Sequence, residues 1–193
     1  MDVLNQPEFI GLLQQGNQQA FARLVEDWGA MVYNTVLGMV QQEDDADDIT
    51  QEVFTEVFRS VRSFKGESKL STWIYRIAVR RALDWEKAKK RKKRFAFLRP
   101  LTGGTGTGEI QVPEFNHPGV QLEKKESAAA LMKALKALPE KQRVAFTLHK
   151  LEGLSNQEVA AVMETTGYAA ESLVARAKEN LKKQLTAFYQ QNS

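Results

Sequence analysis

The sequence contains no cysteine and only two histidines among its 193 residues. The missing thiols exclude disulfide bridges, cysteine nucleophiles, zinc fingers and iron–sulfur clusters. No run of about 18 apolar residues occurs, and a helix crossing a membrane would need one. Residues 1–15 also lack the positive start and apolar centre of a secretory signal. We therefore expect a cytoplasmic protein with no metal, no cofactor and no insertion into a membrane.

Charge is present in ordinary amount but is unevenly distributed along the chain. Residues 1–60 hold eleven acidic and two basic side chains, whereas residues 61–99 hold fourteen basic and three acidic ones. The net charge of +3 conceals this segregation. Two adjacent blocks of opposite sign predict an acidic and a basic surface with different partners, although solvated faces alone would give the same pattern.

The apolar residues recur at three- and four-residue steps, and no segment shows the sustained alternation of a strand. This periodicity predicts an all-α protein. The clearest apolar stripe consists of Ile49, Val53, Val57, Val61 and Phe64. Acidic residues 44–48 open this predicted helix, where the helix dipole favours negative charge.

The composition changes at residues 99–118, which are rich in glycine, threonine and proline. Such a segment predicts a flexible linker. A phosphate-binding loop is the alternative, but neither the Gly-Lys-Ser/Thr ending nor a preceding strand is present. We expect two small helical domains, 1–95 and 128–193, joined by a linker over 96–127.

A long helix from about Ser71 to Arg94 is predicted to carry one basic side. A stripe of cations along a helix suits a nucleic-acid backbone better than a small ligand. Aromatic residues lie nearby, and unpaired bases stack on such rings. Among them, we expect Trp85 in the core and Tyr75 exposed. The cations of this side are Arg76, Arg80, Lys87, Arg91 and Arg94.

The C-terminal part has the spacing of a helix-turn-helix. A capping box, Ser155 to Glu158, opens one helix, and a turn at 164–167 precedes another helix from about Tyr168. Lysines on the last helix would suit binding to duplex DNA. A plain helix-turn-helix repressor or activator would explain this half of the chain, but not the charged blocks before residue 99.

The acidic run also contains Asp44-Asp45-x-x-Asp48, a spacing that binds magnesium in all-α isoprenoid synthases. Hard carboxylate oxygens at one helix turn can bind that cation. Those enzymes need a second aspartate cluster and a large apolar cavity, and the sequence offers neither. Solvated charges, or a docking surface for a basic partner, explain the run better.

Four segments resemble motifs of one family. Residues 45–54 (DADDITQEVF) resemble the core-polymerase-binding motif of bacterial sigma factors. Residues 64–78 (FKGESKLSTWIYRIA) resemble the promoter −10 segment of the extracytoplasmic-function (ECF) group of the sigma-70 family, and residues 138–143 and 152–160 resemble its −35 domain. These motifs occur in the family's order and spacing.

The resemblance implies a sigma factor that binds core RNA polymerase and directs promoter-specific transcription initiation, without catalysis of its own. Its partners would be the polymerase, the non-template strand of the −10 element, −35 duplex DNA and, as often in the group, an anti-sigma factor. The implied polymerase-binding residues are Asp45, Asp47, Asp48, Gln51, Glu52 and Phe58. The implied −10 residues are Phe64, Lys65, Glu67, Ser68, Tyr75, Arg76, Arg80 and Lys87, and the implied −35 residues are Thr166, Ser172, Arg176 and Lys178.

Some positions depart from the family's pattern. Arg80 stands where the family often has asparagine, and Glu164 stands where the turn of the helix-turn-helix usually has glycine. Glu171 and Leu173 replace residues that are often cations. We therefore expect a −10 preference unlike the common pattern and weak −35 readout by the last helix.

Overall fold

The computed structural model describes residues 5–98 and 125–191. Over these residues the chain is helical without any strand, so the all-α prediction is confirmed. Most of the predicted linker lies outside the described residues. No helix in the described ranges is both long and apolar enough to span a membrane.

Four helices form each half of the described chain. The N-terminal helices are α1 (Pro7–Gln14), α2 (Gln18–Val40), α3 (Glu43–Ser60) and α4 (Leu70–Leu98), and a 3₁₀ turn (Val61–Ser63) follows α3. The C-terminal helices are α5 (Lys125–Ala137), α6 (Glu140–Phe146), α7 (Asn156–Val162) and α8 (Gly167–Gln191), and a π-helical turn (Thr147–Leu151) extends α6.

Local capping sets several of these boundaries. The Asn17 side chain accepts a hydrogen bond from the Ala20 amide at 3.0 Å and so begins α2. The predicted capping box of Ser155 and Glu158 begins α7. Four residues, 163–166, then connect α7 to α8, which confirms the predicted helix-turn-helix.

The apolar stripes identified in the sequence form the core between α2, α3 and α4. The predicted α3 stripe is buried along its whole length, and Trp85 is partly buried against this core. The fully buried residues of the core between these three helices include Leu24, Val32, Val36, Ile49, Val53, Val57, Ile74 and Ala78.

The two halves pack directly against each other. Helix α2 contacts the π-helical turn, and α4 contacts α7. Gly38 of α2 marks the closest approach, because a Cβ atom there would lie 2.9 Å from Thr147 Cγ2 and 3.3 Å from Leu151 Cδ1. The core of the N-terminal half therefore continues into Val144, Leu148 and Val159 of the C-terminal half.

Candidate functional site

The exposed side of α3 carries a band of acidic and polar side chains. Asp47, Asp48, Gln51 and Glu52 are all exposed. The last three lie at i, i+3 and i+4, so they share one face of the helix. Since the apolar stripe occupies the opposite side, this band faces solvent and can meet a partner of positive charge, although Glu52 also lies 3.6 Å from Arg81 of α4.

An apolar groove runs beside the acidic band, between α2 and α3. Phe58 lies 48% exposed at its edge and packs edge-to-face on Phe21, with ring centroids 5.0 Å apart. An exposed phenylalanine next to carboxylates suits a partner helix that bears both apolar and basic residues. The apolar part of the groove is lined by Phe21, Val25, Ala30, Phe54 and Phe58.

Asp45 differs from the other acidic residues of this segment. Its carboxylate pairs with Lys89 Nζ of α4 at 3.0 Å, and the same ammonium lies 4.1 Å from the centre of the Trp85 ring. Asp45 therefore ties α3 to α4, and its partner lies within the chain.

The acidic and basic surfaces meet along a seam between α3 and α4. Arg80 pairs with Glu56. Arg81 contacts Glu56 at 2.6 Å and Glu52 at 3.6 Å. Lys87, another of the cations predicted on the basic side of α4, is exposed and lies 3.8 Å from Asp84. The two charged blocks thus partly neutralise each other where they touch.

The segment between α3 and α4 combines a packed aromatic residue with an exposed loop. Phe64 is buried and its ring centroid lies 5.3 Å from that of Trp73. Lys65 and Glu67 are exposed, and Ser68 is half-buried. Gly66 has a φ of +72°, a conformation that glycine adopts without cost. Phe64 therefore supports the loop from the core, while the charged loop residues Lys65 and Glu67 face solvent.

The prediction that Tyr75 is exposed is wrong. Its side chain is buried, and its hydroxyl donates a hydrogen bond to the Glu152 carboxylate at 3.4 Å. The cause is the C-terminal half, which covers this part of α4.

The neighbouring cations of this surface also reach across to the C-terminal half. Arg76 donates through Nε and Nη2 to the Ala161 carbonyl at 3.1 and 2.8 Å. Lys69 Nζ lies 3.1 Å from Glu158. Two of the cations nearest the predicted −10 loop therefore have partners in α7.

Burial shifts the ionisation of the groups at this junction. It raises the pKa of Glu152 to about 7, although the hydrogen bond from Tyr75 acts in the opposite direction. Burial, then the charge of Glu152, raises the pKa of Tyr75. The pKa of Glu158 is lowered, chiefly by hydrogen bonds from the Ser155 amide and from Lys69. The charge of the Glu152 carboxyl therefore changes near neutral pH.

The outward face of α8 brings together only some of the predicted −35 residues. Buried Ala170, Val174, Ala177 and Leu181 define its inward face. Ser172 and Arg176 lie on the opposite side, whereas Lys178 follows Arg176 by two positions and so points about 160° away from it. The Thr166 hydroxyl accepts a hydrogen bond from the Ala169 amide at 3.2 Å and caps the helix.

Tyr168 is not among the predicted −35 residues, although it lies beside them. This residue is 85% exposed at the start of α8 and lies on the same outward side as Ser172 and Arg176. Its position outside the apolar stripe, one residue after the glycine that begins the helix, was the available signal. A large exposed aromatic at a helix start can stack on a sugar or contact a base edge.

Two family models match the chain. Sigma-70 region 2 matches residues 24–94, and sigma-70 region 4 matches residues 128–181. The ECF RNA polymerase sigma-E factor of Escherichia coli is 31% identical over 167 residues, covering 86% of this chain and 87% of the relative. The RNA polymerase sigma-H factor of Pseudomonas aeruginosa is 28% identical over 178 residues, 92% of each chain.

Solved structures with the same fold cover most of the chain. CnrH, solved in complex with the cytosolic domain of CnrY, matches with a TM-score of 0.68 at 22% identity, over 93% of this chain and 96% of that one. The sigma factor RpoE from Bartonella quintana, solved in complex with the anti-sigma factor NepR, matches with a TM-score of 0.64 at 20% identity, over 86% and 96%.

Proposed function

The chain belongs to the extracytoplasmic-function group of the sigma-70 family, and on this basis we propose which of its surfaces bind core polymerase and which bind promoter DNA. It is a sigma factor that binds core RNA polymerase and directs promoter-specific transcription initiation. We propose that it acts in the cytoplasm and that it supplies no catalytic residue, since RNA synthesis itself belongs to the polymerase.

The polymerase-binding surface in this proposal is the outer side of α3. Asp47, Asp48, Gln51 and Glu52 supply exposed polar and acidic contacts, and Phe58 supplies an apolar one beside them. This pairing of carboxylates with an exposed aromatic groove on one helix is the observation that carries the proposal. Asp45 would contribute indirectly, because its ion pair with Lys89 holds α3 against α4 and so positions the binding surface.

The −10 surface in this proposal combines the loop 65–68 with the basic side of α4. Lys65 and Glu67 stand at the loop surface, where Gly66 allows a DNA strand to approach closely. Arg76, Arg80 and Lys87 would hold the phosphates, and Phe64 and Ser68 would shape the loop. A base taken out of its stack needs contacts with the protein to offset the stacking it loses, and the loop and these cations would supply them.

The −35 surface in this proposal is the outward side of α8. Arg176 is a long cation that can reach a phosphate or a guanine edge, and Ser172 and Tyr168 flank it. Thr166 would contribute through its cap on the helix start, which faces the duplex in helix-turn-helix proteins. Lys178 lies on a side of α8 next to this outward side and would reach at most the neighbouring phosphates of the DNA.

We further propose that an anti-sigma protein holds the chain inactive until it is needed. The solved sigma factor RpoE is bound to such a protein, and it shares the fold of this chain. Co-purification of the tagged chain from its host, followed by identification of the bound protein, tests this proposal. Recovery of polymerase subunits alone would contradict it.

Reconstituted transcription tests the proposed function directly. Core polymerase with this chain should produce run-off transcripts from a subset of genomic fragments, and core alone should not. Arg76→Ala/Arg80→Ala should weaken promoter binding by the holoenzyme and flatten its dependence on salt, because fewer counterions are released. Lys133→Ala/Lys136→Ala on exposed positions of α5 removes the same charge and should leave both unchanged. An unaltered salt slope in the arginine variant would refute the assignment.

A further inference from the structure

The loop 65–68 is held at both of its ends by side chains from the first helical segment of the chain. Gln14 donates a hydrogen bond to the carbonyl of Phe64, just before the loop, and Asn5 accepts hydrogen bonds from the first amides of α4, just after it. We propose that Asn5 and Gln14 are positioning residues for promoter recognition, which fix the loop in the shape that receives the −10 strand. This inference rests on the proposed −10 role of that loop.

Asn5 supplies a helix cap that the residues next to α4 do not. The first amides of a helix lack partners within it, and a side-chain oxygen at the N-cap normally accepts a hydrogen bond from one of them. Lys69 occupies this position, since its carbonyl accepts the Trp73 amide at 3.2 Å, but a lysine side chain is only a donor. Asn5 Oδ1 instead accepts from the Leu70 and Ser71 amides at 2.8 and 3.4 Å. Because Leu70 is fully buried, the start of α4 depends on this distant cap.

Gln14 holds the opposite end of the loop. Its side-chain amide donates to the Phe64 carbonyl at 2.9 Å, while the Phe64 ring packs against Trp73. Within the described part of the chain, no backbone carbonyl accepts a hydrogen bond from the amides of residues 65–68. The shape of the loop therefore depends on the anchoring of its two ends.

Helix α1 joins the two anchors as a short rigid element. Asn5 lies two residues before its start, and Gln14 is its last residue. Phe9 and Leu13 are buried one turn apart on its inner face, and the helix packs against α2 and the 3₁₀ turn that leads into the loop. Because α1 is itself packed in place, it keeps the two anchors at a fixed separation along the loop.

A loop that is fixed before binding needs less ordering when it receives DNA. Ordering a flexible residue costs conformational entropy, and a site that is only partly in its competent conformation binds more weakly by that fraction. Without the anchors, Lys65 and Glu67 could sample other positions around Gly66, while the cations of α4 would keep theirs. Asn5 and Gln14 should therefore affect the capture of a base and leave the phosphate contacts unchanged.

Two substitutions remove the anchors without altering charge or the buried face of α1. Asn5→Ala deletes the cap on α4, and Gln14→Met keeps side-chain length and helix propensity but cannot donate a hydrogen bond. Gln6→Ala/Gln15→Met is the matched control, because both residues are exposed neighbours of the anchors. Asn5→Asp is the conservative variant, since it keeps an oxygen that can accept from the two amides. Circular dichroism checks that every variant stays helical.

The promoter affinity of the holoenzyme is the first readout, on a promoter obtained from the run-off assay. We expect Asn5→Ala/Gln14→Met to bind about tenfold more weakly, as the competent fraction of the loop falls to about a tenth. The slope of affinity against salt should stay that of the wild type, because no phosphate contact is lost. The affinity for core polymerase should also be unchanged.

The mobility of a spin label at Lys65→Cys is the second readout, in a free chain that has no cysteine of its own. The label should be restricted in the otherwise unaltered chain and in the control, and more mobile in Asn5→Ala/Gln14→Met. Asn5→Asp should restore the restricted spectrum that Asn5→Ala loses. Equal mobility in Asn5→Asp and Asn5→Ala would show that the cap does not position the loop.

Gln14→Met alone keeps the test valid if Asn5→Ala does not fold. It removes one hydrogen bond and should weaken promoter binding about threefold or more relative to Gln15→Met. Promoter binding equal to that of the control would overturn the positioning role. A parallel loss of polymerase affinity would overturn it too, since it would indicate a general defect of the fold.

Failure of the −10 assignment would appear separately. In that case a photo-crosslinking label at position 65 would not reach the non-template strand in a chain that retains Asn5 and Gln14. The spin label would still report whether these two residues anchor the loop.

Discussion

At the scale of single residues, neighbours in the sequence have different partners in the structure. Arg76 and Arg80 lie four residues apart on α4, and the sequence places both on its basic side. Arg76 donates to the Ala161 carbonyl of the C-terminal half, whereas Arg80 pairs with Glu56 of α3. Helical periodicity assigns a face to each side chain, but the partner of that face depends on tertiary packing. For the same reason Tyr75 was wrongly predicted to be exposed.

Glu152 should make the stability of the chain depend on pH. Its pKa rises from 4.5 to about 7 on burial, so the folded chain favours the protonated carboxyl. This contribution is fully present below about pH 4.5 and is lost as the pH rises through about 7. Urea unfolding should therefore give a lower free energy at pH 8 than at pH 5.

Glu152→Gln isolates this contribution from those of other titrating groups. Glutamine stays neutral and can still accept a hydrogen bond from Tyr75. The difference in unfolding free energy between the variant and the wild type should grow in favour of the variant from pH 5 to pH 8. A difference independent of pH would show that Glu152 does not titrate in this range.

The buried ion pair of Arg143 and Glu86 should be costly to break. The two side chains are 4% and 10% exposed, and their charged atoms lie 2.5 Å apart. Arg143→Met leaves Glu86 buried without its partner, which should cost about 3–5 kcal/mol of unfolding free energy. Arg143→Met/Glu86→Leu should lose much less, because no charge stays buried. Equal losses in urea unfolding of the single and the double variant would contradict this.

At the scale of elements, α3 shows what a pattern within one helix can predict. The stripe from Ile49 to Val61 is buried as predicted, because the spacing of apolar residues is a local property of the sequence. The exposure of Phe58 also follows from its place outside the centre of that stripe. The pairing of Asp45 with Lys89 could not be predicted, since it needs the position of α4 beside α3.

Reversing charge on α3 should weaken binding to core polymerase. Asp48→Lys/Glu52→Lys replaces attraction with repulsion at a basic partner, and we expect about tenfold weaker binding or more, equivalent to about 1.4 kcal/mol. Glu8→Lys/Glu179→Lys makes the same charge change at exposed positions away from α3. Both positions lie beyond the first turn of α3, so the helix dipole gives them little stabilisation. Polymerase binding as tight as that of the wild type would contradict the assignment.

Two cations of α8 should differ in their effect on transcription. Arg176→Ala removes a cation from the outward side of the helix, whereas Lys178→Ala removes one that points about 160° away. Run-off transcription from promoters with a −35 element should therefore fall in the arginine variant and remain close to wild type in the lysine variant. Equal effects of the two substitutions would contradict the assigned face.

At the scale of the whole molecule, the sequence predicted the parts better than their assembly. The all-α class and the helix-turn-helix follow from patterns of spacing and capping that lie within a few turns of helix. The packing of one half on the other does not, because Gly38 and Thr147 are 109 positions apart and neither belongs to a motif. The contacts of α7 with Arg76 and Lys69 were missed for the same reason.

Photo-crosslinking in the complete initiation complex tests the central claim, that α3 meets the polymerase while the loop before α4 meets the −10 strand. A benzophenone amino acid replaces Phe58 in one variant and Lys65 in another, and each is assembled with core polymerase and promoter DNA. We predict that the label at position 58 crosslinks to a polymerase subunit and that the label at position 65 crosslinks to the non-template strand. Crosslinks from position 58 to DNA, or from position 65 to the polymerase alone, would contradict the account.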